Sequence, residues 1–204
     1  MSIFKQLTEK SWATQGVIGE IPDRNLGPGP AARVGLRFFI MVLTSMFFLF
    51  VASYRLRMQE ADWQPIADPA ILWLNTALLI AAAIVMQRAR IAAEQGLISK
   101  IRNNLTGAGV LTIAFLIGQY FAWQQLAESG LYVAALPAAA FFFLLTGLHA
   151  LHLMGGLLVW ARATWRAWRG IEVARVALSV DLCTTYWHYL LLVWFVFFAL
   201  FLST

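Results

Sequence analysis

The stretch AAAFFFLLTGLHALHLMGGLLVWA, residues 138–161, decides the class of this protein. It contains no acidic residue, lysine or arginine, and a helix of about 20 such residues crosses the hydrocarbon core of a bilayer. Comparable runs recur along the chain. They predict an all-α integral membrane protein, a bundle of five transmembrane helices at about 34–54, 70–88, 105–126, 137–162 and 180–203.

Composition agrees with this class. The chain has 204 residues, of which 61% are hydrophobic and 12% are charged, and a water-soluble domain of this size would struggle to remain in solution with those proportions. The apolar runs are continuous rather than alternating, which favours helices over the strands of a barrel. The single cysteine, Cys183, excludes a disulfide within the chain and any site built from two thiolates.

Positive charge predicts the orientation. The basic residues of the N-terminal segment and of the second and fourth loops fall on one side of the predicted membrane, whereas the other side has Arg55 and Arg57. The positive-inside rule then places the N-terminus in the cytoplasm and the C-terminus outside. This arrangement accounts for the net charge of +5 without a nucleic-acid partner.

The N-terminal segment differs from the rest of the chain. Residues 21–33, IPDRNLGPGPAAR, include three prolines and are predicted to lack regular structure. We therefore divide the chain into a cytoplasmic tail, residues 1–32, and a five-helix transmembrane domain, residues 33–204.

The three histidines admit a metal-binding hypothesis. His149 and His152 lie three positions apart on one helical face, and His188 lies in the last predicted helix. Neutral imidazole is a good ligand for copper and zinc. Under this hypothesis the chain is a stand-alone membrane metal or haem protein that uses these three side chains.

The alternative hypothesis is helix packing. Imidazoles and amides inside a membrane, Asn75 among them, hydrogen-bond to neighbouring helices, and Gly147, Gly155 and Gly156 would let those helices approach closely. Metal sites usually include carboxylates that orient the ligands, and the acidic residue nearest to these helices is Asp181. The packing hypothesis is therefore favoured.

Four segments carry a family resemblance. They are LWLNTALLIAAAIVMQRA (72–89), GQYFAWQQL (118–126), FFFLLTGLHALHLMGGLL (141–158) and TYWHYLLLVWFVFF (185–198). In this order they resemble subunit III of the haem-copper oxidases, and the number of predicted helices resembles the short, five-helix form of that subunit.

The resemblance implies a function within a complex. It implies an accessory, non-redox subunit of a proton-translocating terminal oxidase of the aerobic electron transport chain, multi-pass in a bacterial-type inner membrane. Such a subunit packs against and stabilises catalytic subunit I, aids proton uptake and contacts phospholipids, while haem and copper belong to subunits I and II. Cytochrome c is the expected electron donor; a quinol oxidase and a nitric oxide reductase remain alternatives.

The same resemblance implies that the chain has no catalytic, cofactor-binding or metal-binding residues of its own. The matching polar and aromatic residues are expected to make interhelical or lipid contacts; they are Asn75, Gln119, Tyr120, His149, His152, Trp187 and His188. The chain departs from the family in two places. Residues 40–48 contain no acid where the family often has a membrane-buried glutamate, and Leu191 stands where an aspartate is common.

Overall fold

The computed structural model describes residues 28–65, 70–130, 136–170 and 173–203, and these residues form five helices without a strand. Each helix contains a segment long and apolar enough to cross a membrane. The prediction of an all-α protein with five transmembrane helices is thus confirmed. The helices are α1 (Pro28–Arg57), α2 (Ile71–Glu94), α3 (Ile98–Glu128), α4 (Pro137–Trp168) and α5 (Val173–Leu202).

Three of the helices end just before a glycine rather than at the edge of the apolar run. Gly96, Gly130 and Gly170 follow α2, α3 and α4 by two positions and have φ values of +70°, +79° and +73°. Glycine adopts this left-handed conformation without strain and so closes the last helical turn. The helices therefore continue past the apolar residues into charged sequence before they stop.

The start of α1 corrects one prediction. Residues 28–33 are helical, although their prolines predicted irregular structure. Pro28 and Pro30 lie in the first turn, where backbone N–H groups have no intrahelical partner and the fixed φ of proline suits a helix. Residues 1–27 of the predicted tail lie outside the described residues, and the division at residue 32 stays a prediction.

Helices α2 to α5 form a closed four-helix ring. Helix α3 packs on α2 and α4, and α5 packs on the same two helices from the other side. Helix α1 lies outside this ring, against α5 and to a lesser extent α4. In its most apolar segment 11% of the residues are buried, compared with 39–50% in the other four helices. We call α2–α5 the inner bundle.

One end of the molecule, here called the arginine-rich end, gathers charged side chains from several helices. Asp181 of α5 accepts from Arg33 Nε of α1 at 3.0 Å and lies 3.2 Å from an Arg90 guanidinium nitrogen of α2. Arg102 Nε of α3 donates to the Ala167 carbonyl of α4 at 2.9 Å. At this end, Asp181 thus joins α5 to α1 and α2, and Arg102 joins α3 to α4.

The opposite end carries a local ion pair. Two guanidinium nitrogens of Arg57, the last residue of α1, donate to the two carboxylate oxygens of Asp62 at 2.6 and 2.5 Å. Hydrogen bonding to the Arg57 guanidinium lowers the pKa of the Asp62 carboxyl, since it stabilises the charged form.

Candidate functional site

Tryptophan indoles connect the helices of the inner bundle through threonine hydroxyls. Trp194 Nε1 of α5 donates to Thr76 Oγ1 of α2 at 2.9 Å, and Trp187 Nε1 of α5 donates to Thr112 Oγ1 of α3 at 3.0 Å. Each threonine in turn donates to the carbonyl four residues earlier in its own helix. A buried indole needs an acceptor, and a membrane interior offers no water to supply one.

Helices α3 and α4 are joined in the same way. Trp123 Nε1 donates to Thr146 Oγ1 at 2.9 Å, and Trp160 Nε1 donates to the Leu105 carbonyl at 2.8 Å. The Trp160 ring lies against Gly109, where a Cβ atom would overlap it. A missing side chain in α3 thus makes the room for an indole of α4.

Asn75 and Gln119 join α2 to α3. Asn75 Nδ2 donates to Gln119 Oε1 at 3.3 Å, and both side chains are buried. Gly118 lies beside the amide, and a Cβ atom at that position would overlap Asn75 Oδ1. The expected cross-helix hydrogen bond of Asn75 is therefore present, and it depends on a close approach of the two backbones.

Tyr120 occupies a different environment from its neighbour Gln119. Its side chain is exposed on the outer surface of α3, and its hydroxyl accepts from Gln124 Nε2 of the same helix at 2.8 Å. The structure thus places Tyr120 outside the interhelical network.

His149 lies in the middle of the inner bundle. Its ring is fully buried, with its centroid 5.4 Å from that of Trp194 and about 6 Å from those of Phe115 and Phe197. Neither ring nitrogen has a hydrogen-bond partner among the described residues. His149 therefore packs as an aromatic side chain, at the desolvation cost of two buried polar atoms.

The other two histidines bond to their own helices. His152 Nδ1 lies 2.7 Å from the Leu148 carbonyl, and His188 Nδ1 lies 2.8 Å from the Thr184 carbonyl. The half-buried His152 ring meets the edge of Phe47 on α1, whereas His188 is exposed on the outer face of α5.

The three histidines consequently occupy three environments: the bundle core, the contact with α1 and the outer surface. Within the described ranges, no group of three or more His, Cys, Asp or Glu side chains is placed to hold a metal ion. The structure does not bring His149, His152 and His188 together as the metal-binding hypothesis requires.

The glycines of α4 correct another expectation. A Cβ atom at Gly147 or Gly155 would meet nothing within 4 Å, so these two residues do not mediate close packing between the described helices. Gly156 does, because an added Cβ would lie 3.0 Å from the Tyr186 ring and 3.2 Å from the Trp187 ring. The helical rotation separates these positions, placing the first two glycines on the outer face of α4 and Gly156 on the face that meets α5.

Sequence reasoning missed most of the indole network. It singled out Trp187, but not Trp123, Trp160 and Trp194 or their acceptors. The available signal was position: Trp194 lies well inside a predicted span rather than at the membrane interface, where tryptophan is usually enriched. The acceptor on the facing helix is a threonine hydroxyl or, for Trp160, a backbone carbonyl, and the sequence alone does not specify which one.

Comparison with known proteins agrees with this architecture. A sequence model of the family described as cytochrome c oxidase subunit III matches residues 29–203. The relatives include proteins named cytochrome c oxidase subunit 3 from a Synechocystis species, Corynebacterium diphtheriae and Thermostichus vulcanus. They are 28%, 25% and 27% identical to this chain, covering 81%, 76% and 82% of it and 72%, 77% and 84% of their own lengths.

The membrane assignment follows from both observations. Five apolar helices long enough to span a bilayer, together with bacterial relatives, make this a multi-pass protein of the bacterial plasma membrane. The family match extends over all five helices, from the first turn of α1 to the end of α5. The chain belongs to the cytochrome c oxidase subunit III family of the haem-copper oxidases.

Proposed function

We propose that this chain is the accessory, non-redox subunit III of a proton-translocating respiratory terminal oxidase that reduces O2 to water with cytochrome c as electron donor. The family match over residues 29–203 carries the proposal. The names of the relatives, cytochrome c oxidase subunit 3, support this donor rather than quinol and this reaction rather than nitric oxide reduction.

The non-redox role agrees with the side-chain chemistry. The three histidines lie in three separate environments, and His149 is enclosed by aromatic rings. On this proposal, haem and copper belong to partner subunits I and II. Metal analysis of the purified chain tests it: a stoichiometric metal that is lost on His152→Ala would favour the stand-alone metal protein instead.

Hydrogen bonds across the inner bundle support the proposed structural role. Hydrogen-bonded indoles and buried amides hold α2 to α5 in one arrangement. A subunit of this kind stabilises catalytic subunit I by presenting a fixed helical surface to it, and phospholipids cover the apolar surfaces that subunit I leaves free. Proteolysis and turnover-dependent inactivation of subunit I, measured with and without this chain, test that role.

We also propose the orientation derived from charge, with the N-terminus in the cytoplasm and the C-terminus outside. The clustering of Arg33, Arg90, Arg102 and Arg166 at one end of the molecule supports it, because arginine concentrates on the cytoplasmic side of membrane proteins. Labelling of a cysteine introduced at Ser203 from the periplasmic side checks this assignment.

A contribution to proton uptake needs another route than the one common in the family. Residues 40–48 of α1 contain no acid, and Leu191 cannot exchange a proton. We therefore propose that this chain influences proton uptake by stabilising subunit I rather than by carrying protons through α1. Proton-uptake rates with and without the chain test this indirect role.

The decisive experiment is purification in mild detergent. Tagged chain should be recovered with a haem-containing subunit, and the complex should oxidise reduced cytochrome c while consuming O2. Recovery of the chain without any haem protein would contradict the proposal. Oxidation of quinol but not of cytochrome c would keep the subunit III role and change the donor.

A further inference from the structure

The outer surface of α5 carries a continuous exposed row of residues. We call it the α5 seam: Thr185, His188, Leu192, Phe195, Ala199 and Leu202. Their spacings alternate between three and four residues, the repeat that places side chains along one line facing a second helix. Helix α5 packs on both α1 and α2, which share no substantial contact with each other, so the seam lies on the outer surface of α5 between those two helices.

His188 lies near the middle of the membrane-spanning part of α5. The membrane-spanning part of α5 is Val176–Leu202. At a rise of about 1.5 Å per residue, His188 lies roughly 18 Å from one end of that segment and roughly 21 Å from the other. Its imidazole is thus exposed on the outer surface close to the middle of the bilayer.

The hydrogen bond of His188 fixes what the ring presents to its surroundings. A carbonyl oxygen only accepts, so the 2.8 Å contact with the Thr184 carbonyl requires a proton on Nδ1. In the neutral ring, Nε2 is then an acceptor. No donor for it is found among the described residues, and lipid tails offer none.

An unpaired acceptor in hydrocarbon is costly, and the cost disappears if a neighbouring helix supplies a donor. We propose that the α5 seam docks a transmembrane helix of another oxidase subunit, which carries a hydroxyl, amide or indole donor opposite His188. The identity of this partner as an oxidase subunit rests on the proposed function. Leu192, Phe195 and Leu202, which are 59%, 44% and 49% exposed, provide the apolar contacts on the C-terminal side of that hydrogen bond.

Photocrosslinking in the intact complex tests the location. A benzophenone amino acid replaces Phe195 in the seam and, as the control, Ile117, which is 52% exposed on α3. The expected result is a covalent adduct with another oxidase subunit from position 195 and lipid adducts from position 117. Lipid adducts alone from position 195, an adduct with a second copy of this chain, or equal subunit adducts from both positions would overturn the proposal.

Two substitutions test the hydrogen bond. His188→Leu removes the acceptor, whereas the side-chain carbonyl of His188→Gln can replace Nε2. Retention of the chain in the complex under increasing detergent should fall roughly five-fold for His188→Leu and return close to wild type for His188→Gln. Equal losses for both variants would overturn the hydrogen-bond assignment.

Unfolding of the isolated chain separates docking from folding. Because His188 is exposed, both variants should unfold at the wild-type SDS concentration; a lower midpoint that parallels the loss of retention would place the role of His188 inside the chain and overturn the proposal. The two levels of the hypothesis remain distinguishable. Wild-type chain that never accompanies a haem subunit contradicts the proposed function, whereas a chain that does so but forms only lipid adducts from position 195 contradicts the seam alone.

Discussion

Helix α1 is more apolar than the helices of the inner bundle, and it is held by different forces. The inner bundle buries indole, amide and hydroxyl groups that bond from helix to helix, including the Trp194–Thr76, Trp187–Thr112 and Trp123–Thr146 pairs. Between α1 and α5, the hydroxyls of Thr44 and Tyr189 lie 3.3 Å apart. Directional bonds therefore fix the geometry of α2 to α5 to a greater extent than that of α1.

Helix α1 is attached at both ends and by two buried apolar side chains near its middle, Leu43 and Phe47. Arg33 joins Asp181 at the arginine-rich end, and at the other end Tyr54 is buried among Trp63, Phe141 and Phe201, with ring centroids 5.1, 5.5 and 6.2 Å away. Between these attachments most of α1 faces outward. High hydropathy thus places a helix in the membrane, whereas buried polar pairs determine which helices lie beside it.

The largest effect should come from filling the space beside an indole. Gly109→Ala places a methyl group inside the Trp160 ring, which has to move and give up its bond to the Leu105 carbonyl. We expect a loss of about 3 kcal/mol in the free energy of unfolding, measured by SDS titration. Gly147→Ala, where a Cβ meets open space, is the matched control and should change it by less than about 0.5 kcal/mol. Equal losses in both variants would contradict the packing described.

A smaller loss should follow from removal of one indole donor. Trp194→Phe leaves the bundle without its bond to Thr76 and with a small cavity, at an expected cost of about 2 kcal/mol in the same titration. Trp73→Phe is the control, since Trp73 is 61% exposed on α2. Equal stability of the two variants would contradict the claim that tryptophan hydrogen bonds stabilise the inner bundle.

Removing a charge at the arginine-rich end should loosen α1 more than the bundle. Asp181→Asn weakens the ion pairs with Arg33 and Arg90, with an expected cost of about 1 kcal/mol. A cysteine introduced at the buried Leu43 of α1 should then react faster with a membrane-permeant maleimide, while the buried Cys183 of α5 should react as before. Faster reaction of both thiols would indicate loosening of the whole chain instead.

The smallest effect concerns the exposed pair at the other end. The Arg57 guanidinium lowers the pKa of the Asp62 carboxyl below its ordinary value of 3.8. The stabilisation of the folded state by this ion pair is therefore complete above pH 3.8 and is lost as the pH falls through the lowered pKa. A carboxyl titration by NMR should show Asp62 titrating below 3.8. Replacing Arg57 by glutamine should return its midpoint toward the ordinary value, and no return would contradict the assigned cause.

The sequence predicted the class and number of helices because runs of about 20 apolar residues have few other stable arrangements. The sequence did not predict where the helices end, since α2, α3 and α4 continue beyond the apolar runs and stop just before Gly96, Gly130 and Gly170. It also misjudged the start of α1, because Pro28 and Pro30 are compatible with a first turn but not with a later one.

The sequence also predicted part of the hydrogen-bond network between the helices. Buried polar residues in a membrane must find partners, so Asn75 was expected to bond across helices and does so with Gln119. The partner itself depends on helix rotation, which periodicity constrains only loosely. Rotation also placed Gly147 and Gly155 on the outer face and separated His149, in the core, from His188, on the surface.

The most direct test compares α1 and the inner bundle within one molecule. A common acceptor dye at Ser203, just after α5, is paired in separate samples with a donor at Arg55 of α1 or at Gln124 of α3, all three being exposed positions. During SDS titration, energy transfer from Arg55 should disappear at a lower SDS fraction than transfer from Gln124. Loss of both signals at the same SDS fraction, or loss from Gln124 first, would contradict the account of a hydrogen-bonded inner bundle with α1 attached to its outside.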